Sequence, residues 1–216
     1  MTLQLFAHPF SSYCRKALIA LHENATPFVF RMLDPEHPEN DAEWSARWPL
    51  RKMPILVDGE KTIVEVSTII EYLQIHHPGP VHLIPEDALE ARMLDRIFDN
   101  YVMTPMQQVV GNALRPEDAK DPYGVGQSMQ MLDKVYAWLE ARLQGRKWAA
   151  GDAFTIADCA AAPSLFYADW VRPIPDGMSA LKSYRARLLA RPSVSRAVEE
   201  ARPFRRFFPL GAPDRD

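Results

Sequence analysis

From Leu3 to about Leu73 the apolar positions fall in short runs broken by helical stretches, and beyond that point they recur almost only at helical spacing. Leu3-Gln4-Leu5-Phe6 predicts a strand, Cys14 to His22 a helix, and Phe28-Val29-Phe30 a second strand. Ile55-Leu56-Val57 and Thr62-Ile63-Val64 predict two further strands, joined by Asp58-Gly59-Glu60-Lys61, a short turn with an Asp-Gly pair. Ser67 to Gln74 is helical again. The order is thus β-α-β, a connection without a readable pattern, then β-β-α. Strands joined by a helix run parallel, whereas the hairpin must be antiparallel. The expected product is a mixed four-stranded sheet with helices packed on it.

His76-His77-Pro78-Gly79-Pro80 cannot continue a helix, and the histidine pair reads as an exposed helix end. Leu89, Met93, Leu94, Ile97 and Phe98 then repeat at helical spacing, as do Met131, Leu132, Val135, Tyr136, Leu139 and Leu143. The expected organisation is an α/β domain over 1–77, a linker over 78–87 and an all-helical domain over 88–216.

Charge and composition narrow the function classes. With 216 residues, 47% hydrophobic, 25% charged and a net charge of -3, the chain has an ordinary globular balance and no basic excess for neutralising phosphates. Arg202, Arg205 and Arg206 are interleaved with aromatics and prolines, which fits a packed tail better than a nucleic-acid patch. No apolar run approaches the roughly 18 residues needed to span a bilayer, and the first residues lack a secretory signal pattern. Cys14 and Cys159 do not make a disulfide framework, so a reducing, cytoplasmic setting is expected. The six histidines show no metal-ligand spacing with carboxylates or cysteines, and no metal is expected.

Candidate chemistry lies at three points. The first strand runs into His8-Pro9-Phe10-Ser11-Ser12-Tyr13-Cys14-Arg15-Lys16, where Pro9 stops the strand and Ser11 or Ser12 can cap the next helix. Cys14, Ala17, Leu18 and Leu21 share one helical face, which turns Cys14 toward the sheet. Ser11 stands at the helix mouth, where free backbone N–H groups and the dipole favour an anion. Lys52-Met53-Pro54-Ile55 places a proline at a strand entry, a candidate cis bond that would free the Met53 backbone to pair with an extended peptide. Glu65-Val66-Ser67-Thr68 opens another helix, pairing a carboxylate acceptor with an anion-holding helix start.

Together these residues resemble the cytosolic glutathione S-transferase superfamily, with a serine/cysteine-type N-terminal motif, over nearly the whole chain. Gly151-Asp152-Ala153-Phe154-Thr155-Ile156-Ala157-Asp158 is similar to the family's helix-capping segment, and Thr155 with Asp158 also forms a capping box on physical grounds. The resemblance implies a thioredoxin-like N-terminal domain, an all-α C-terminal domain, glutathione as co-substrate and a homodimer. It implies that Ser11 hydrogen-bonds the glutathione sulfur, with Ser12 and Cys14 as alternatives. Lys52, Met53, Pro54, Glu65, Val66 and Ser67 would hold the tripeptide. Phe10, Tyr101, Met103, Met106, Tyr167 and Trp170 would line a cleft for a small electrophile.

The energetics of that role are simple. Lowering a free thiol's pKa of about 8.5 by about two units takes roughly 2.7 kcal/mol of thiolate stabilisation. One hydrogen bond to the anion supplies about 1.5–3 kcal/mol, and a helix N-terminus adds roughly 0.3–2 kcal/mol. Val66 departs from the Glu-Ser pair of many relatives and removes one hydroxyl from the carboxylate site. Two other readings remain: a Cys14-dependent thiol transferase, and a non-catalytic interaction protein on the same fold.

Overall fold

Alternation along the first strand decides which elements share a face. The computed structural model describes residues 2–216. In β1 (Leu3–Ala7), Leu3, Leu5 and Ala7 join one core cluster while Phe6 joins another on the opposite side of the sheet. β2 (Phe28–Met32) lies parallel to β1 with Leu3 opposite Phe28. β3 (Ile55–Asp58) lies antiparallel with Leu5 opposite Leu56, and β4 (Lys61–Ile63) completes the order β2-β1-β3-β4. The sheet is mixed and four-stranded, as the sequence pattern predicts.

Two helices cover the Leu3–Leu5 face, α1 (Ser12–Glu23) and α3 (Val66–His76). The connection that showed no pattern is also a helix, α2 (Pro38–Arg47), and it covers the other face. Only Asn40 and Trp44 are buried along α2, so no apolar period exists to announce it. Pro38 opens the helix and Glu39 and Asp41 sit in its first turn, where they favour the positive end of the dipole. Trp44 supplies the packing, against Phe6, Leu33, Ile55 and Val57.

α3 ends at His76, and α4 (Leu89–Ile97) begins after a linker clipped to the end of α1. Asn24 donates to the Val81 carbonyl (3.0 Å) and accepts from the Val81 N–H (2.8 Å). The histidine pair is split in environment: His76 is exposed, but His77 is half-buried with Nε2 2.9 Å from Asp58 Oδ2. That pairing corrects the expectation of two exposed histidines.

The helical half continues through a π-helical segment, Phe98–Met103, into α5 (Thr104–Ala113). α6 (Pro122–Leu143), α7 (Ile156–Val171), α8 (Ser179–Leu189) and α9 (Pro192–Ala201) follow, and a 3-10 turn, Arg202–Phe207, leads into the tail. α7 is buried continuously from Ile156 to Trp170, the mark of a central helix. Its start carries the expected capping box between Thr155 and Asp158. The buried Asp158 carboxylate accepts from the N–H groups of Thr155 (2.8 Å) and Ala149 (2.9 Å) and from the Tyr184 hydroxyl (2.6 Å). α1 is buried at every position from Cys14 to Leu21, enclosed by the sheet and α3 on one side and by α7 and α9 on the other.

Candidate active site

The turn between β1 and α1 is fixed by local hydrogen bonds. The Ser11 N–H donates to the His8 carbonyl (3.0 Å), and the Phe10 N–H donates to His8 Nδ1 (3.2 Å). From α7, the Tyr167 hydroxyl donates to the Phe10 carbonyl (2.7 Å). Ser11 is the N-cap of α1, and its Oγ accepts from the Cys14 N–H at 3.4 Å, the long end of the range. Cys14 is fully buried, and burial pushes its thiol up to about 11. At neutral pH that thiol stays protonated, whereas a nucleophilic cysteine needs the thiolate.

A cavity of about 570 Å³ opens beside this turn, a typical size for a small-molecule site. Ser11, Lys52, Met53, Pro54, Glu65, Val66 and Ser67 all line it. The Met53–Pro54 bond is cis. Glu65 has φ 64°, a left-handed backbone conformation that costs a non-glycine residue about 1–3 kcal/mol and clusters at ligand clamps. Residues 51–54 are braced from α2: Trp44 Nε1 donates to the Lys52 carbonyl (3.3 Å), and Arg51 lies 5.0 Å over the Trp44 ring and pairs with Asp41.

Several walls of this cavity escape the sequence reading. Trp48, Arg51, Tyr13, Arg96, Asp99, Asn100 and Gln107 belong to it as well. Behind it lies a buried ion cluster. Lys16 Nζ is 2.5 Å from Asp95 Oδ1 and 2.7 Å from Asp99 Oδ2, with side-chain exposures of 0%, 4% and 5%. The same ammonium donates to Ser67 Oγ (3.1 Å), which donates in turn to Asp95 Oδ2 (2.7 Å). Arg96 caps the cluster from its solvent side by pairing with Asp99. Burial raises the Asp99 pKa, opposed by the nearby Lys16 charge. The available signal was a pair of acids four residues apart, Asp95 and Asp99, each directly after an apolar helical position, Leu94 and Phe98.

A second cavity, about 220 Å³ and mostly apolar in its side chains, adjoins the first. Phe10, Ser12, Met106, Val110, Leu114, Tyr167 and Phe207 to Pro209 line it, and Ser11 and Gln107 belong to both cavities. Gln107 Nε2 donates to the buried Ser12 Oγ (3.0 Å). Of the cleft residues expected from sequence, Phe10, Met106 and Tyr167 are here. Tyr101 instead faces a separate cavity of about 640 Å³ between α5 and α6. Met103 is fully buried in the core, and Trp170 packs behind the wall, with its ring 5.1 Å from Phe208. All three have the residue types of a cleft wall, but the phase of their helices points them elsewhere. Among the described residues no cluster of three or more His, Cys, Asp or Glu is suited to a metal, and no helix is long and apolar enough to cross a membrane.

Residues 5–81 match the family model described as Glutathione S-transferase, N-terminal domain, and residues 102–192 match Glutathione S-transferase, C-terminal domain. The chain belongs to the glutathione S-transferase superfamily. Among curated members, FtsZ-localized protein A of Caulobacter vibrioides is 29% identical over 196 residues, covering 85% of each chain. Glutathione S-transferase theta-1 of Bos taurus is 27% identical over 218 residues, 93% of this chain and 85% of its own. A solved glutathione S-transferase from Methylobacterium radiotolerans, in complex with glutathione sulfonate, superposes with a TM-score of 0.78 at 27% identity, covering 92% of this chain and 95% of its own. The superfamily's co-substrate is glutathione, and its two-domain architecture is the one described above.

Proposed function

We propose that the protein is a glutathione transferase in which the Ser11 hydroxyl holds the glutathione sulfur as a thiolate and directs it at a small electrophile. The observation that carries this reading is that Ser11 lines both cavities, one sized and charged for a tripeptide and the other small and apolar. Nucleophile and electrophile then meet at one hydroxyl, the arrangement that makes a bimolecular step effectively unimolecular. Glutathione carries two carboxylates and one ammonium. Arg51 and Lys52 line one part of the cavity of about 570 Å³, and Glu65 offers a carboxylate elsewhere in it. With the Ser67 hydroxyl engaged by Lys16 and Asp95, the γ-glutamyl carboxylate rests on the backbone N–H groups at the start of α3. Val66 brings no hydroxyl to that contact.

Ser12 is assigned the support of Gln107 and Cys14 a place in the core, not thiol exchange. The described region offers no transmembrane helix, and two buried free cysteines suit a reducing cytoplasm. A homodimer is supported by exposed Leu89, Met93 and Tyr101, spaced along one side of α4 and the π-helical segment, and by exposed Ile75 on α3.

The test is steady-state conjugation of glutathione to an aryl halide, alongside calorimetric titration with glutathione. Ser11→Ala loses one hydrogen bond to an anion, so kcat/KM falls by about 10- to 150-fold. Ser12→Ala and Cys14→Ser retain most activity. Survival of activity in Ser11→Ala with its loss in Cys14→Ser would reject the serine assignment. One relative is named for its localisation to FtsZ, and a fold does not by itself fix an activity. Absence of binding heat at millimolar glutathione would therefore favour the interaction reading.

A further inference from the structure

Arg15 is a cation without an anion. It lies on α1 one helical turn beyond Ser11, is 1% exposed, and has no hydrogen-bond partner at Nε, Nη1 or Nη2 among the described residues. Its guanidinium sits 4.1 Å from the centre of the Phe166 ring and 5.1 Å from that of Tyr167, both on α7. Aromatic faces offset part of the cost of burying a charge, but a buried cation is normally matched by a carboxylate.

The charged groups around it do not provide one. On α8, Arg185 is 3.4 Å from Asp169, a carboxylate already shared with Arg215 of the tail. In the 3-10 turn, Arg205 pairs with Asp216 and stacks over Trp170 at 5.2 Å. Arg185 and Arg205 each feel Arg15 as a repelling neighbour. The Tyr167 phenol is neutral, pushed up by burial. The carboxylates around Arg15 are thus already shared among other arginines, and none pairs with Arg15 itself.

We propose that Arg15 is the buried countercharge for the glutathione thiolate at Ser11. The inference rests on the glutathione reading above. Arg15 lines neither cavity, so it is a positioning residue that acts in two ways. Its field reaches the mouth of α1 through a protein interior that screens poorly. Its guanidinium also packs on Tyr167, whose hydroxyl holds the Phe10 carbonyl next to Ser11. A unit charge about 10 Å away at an effective dielectric of about 20 shifts a thiol by about one pKa unit.

The test is a pH titration of bound glutathione, followed by ultraviolet thiolate absorbance, in wild type, Arg15→Met, Arg15→Gln and Arg15→Lys. S-methylglutathione, which has no ionisable sulfur, is titrated against the same proteins by calorimetry. The expected result is a midpoint raised by about one unit in the Met and Gln variants and largely restored in Lys. Affinity for S-methylglutathione should change little. A midpoint unmoved in Arg15→Met or Arg15→Gln, with S-methylglutathione still bound, overturns the role of Arg15 and leaves the glutathione reading standing. Failure of wild type to bind either ligand overturns both. Should neither neutral variant fold, wild type alone decides: glutathione sulfonate, a permanent anion at the sulfur, must bind about tenfold more tightly than S-methylglutathione, and equal affinity overturns the countercharge.

Discussion

Replacing Lys16 by methionine tests the ion cluster behind the cavity that Ser11 and Glu65 line. The substitution keeps length and apolar bulk but leaves Asp95 and Asp99 without the ammonium that sits 2.5 and 2.7 Å from them. At an effective dielectric of about 20, each of those contacts is worth roughly 6 kcal/mol before desolvation is charged against it. Removing one partner of a buried pair costs about 3–5 kcal/mol in practice. Arg96 remains beside both carboxylates but is about half exposed, with a side-chain exposure of 52%, so it blunts the loss without cancelling it. The expected cost at pH 7 is about 3 kcal/mol, or a fall in Tm of roughly 6–12 °C for a chain of this size.

The sign of the pH dependence follows from Asp99. Burial holds its folded pKa above the ordinary carboxylate value, and Lys16 pulls it back down. Without Lys16 the folded carboxyl binds its proton more tightly than the unfolded chain does. Acidification therefore stabilises the variant relative to wild type, and the benefit is lost as pH rises through the folded pKa. Urea unfolding of both proteins at pH 5 and pH 7 measures this, with Asp99→Asn in the Lys16→Met background expected to recover part of the loss. A cost below about 1 kcal/mol, or one that does not shrink in acid, would refute the reasoning.

Asp158→Ala strands the N–H groups of Ala149 and Thr155 and the Tyr184 hydroxyl, so thermal unfolding should drop by roughly 10 °C or more, with binding affinity in the surviving folded fraction unchanged. Gly79→Ala would place a methyl 2.4 Å from Asn24 Cβ, forcing apart the clip between α1 and the linker. A loss of about 1–3 kcal/mol in urea unfolding is expected, and a neutral result would mean the linker shifts freely. Cys14 and Cys159 are both fully buried, with Cys14 raised to about 11 by burial and Cys159 held well above its ordinary value for the same reason. Neither should react with a disulfide reagent at pH 8 until the protein is unfolded, when both should; rapid labelling of the native state would revive the cysteine mechanism.

β1, β3, α1 and α3 were legible because each carries apolar positions that burial enforces, and β2 was legible from its Phe28-Val29-Phe30 run although none of its positions is fully buried. α2 was not, since Pro38–Arg47 contributes one large apolar side chain, and a period cannot be read from a single Trp44. Ser11, Met53-Pro54 and Glu65 stood out because each lies where a regular element begins or ends: a hydroxyl at a helix mouth, a proline at a strand entry and a carboxylate before a helix start. Lys16, Asp95 and Asp99 did not, because a charge in a helical pattern ordinarily marks a solvated face. Their burial is created by three helices meeting, a fact of tertiary structure that no local window contains. The cleft failed in a related way: Tyr101, Met103 and Trp170 have pocket-like chemistry, but which side of a helix faces the opening depends on how that helix is seated.

The enclosure of α1 on every side bears on how reactants come and go. A helix clamped between a sheet and three further helices cannot swing, so the serine at its tip is held still. Traffic into the smaller cavity must then be regulated from the opposite bank, where the exposed Leu114 and Phe207 flank the opening and Phe208 and Pro209 carry the chain across it. On the proposed reading, variation in those outer residues would alter which electrophiles gain admission without moving Ser11.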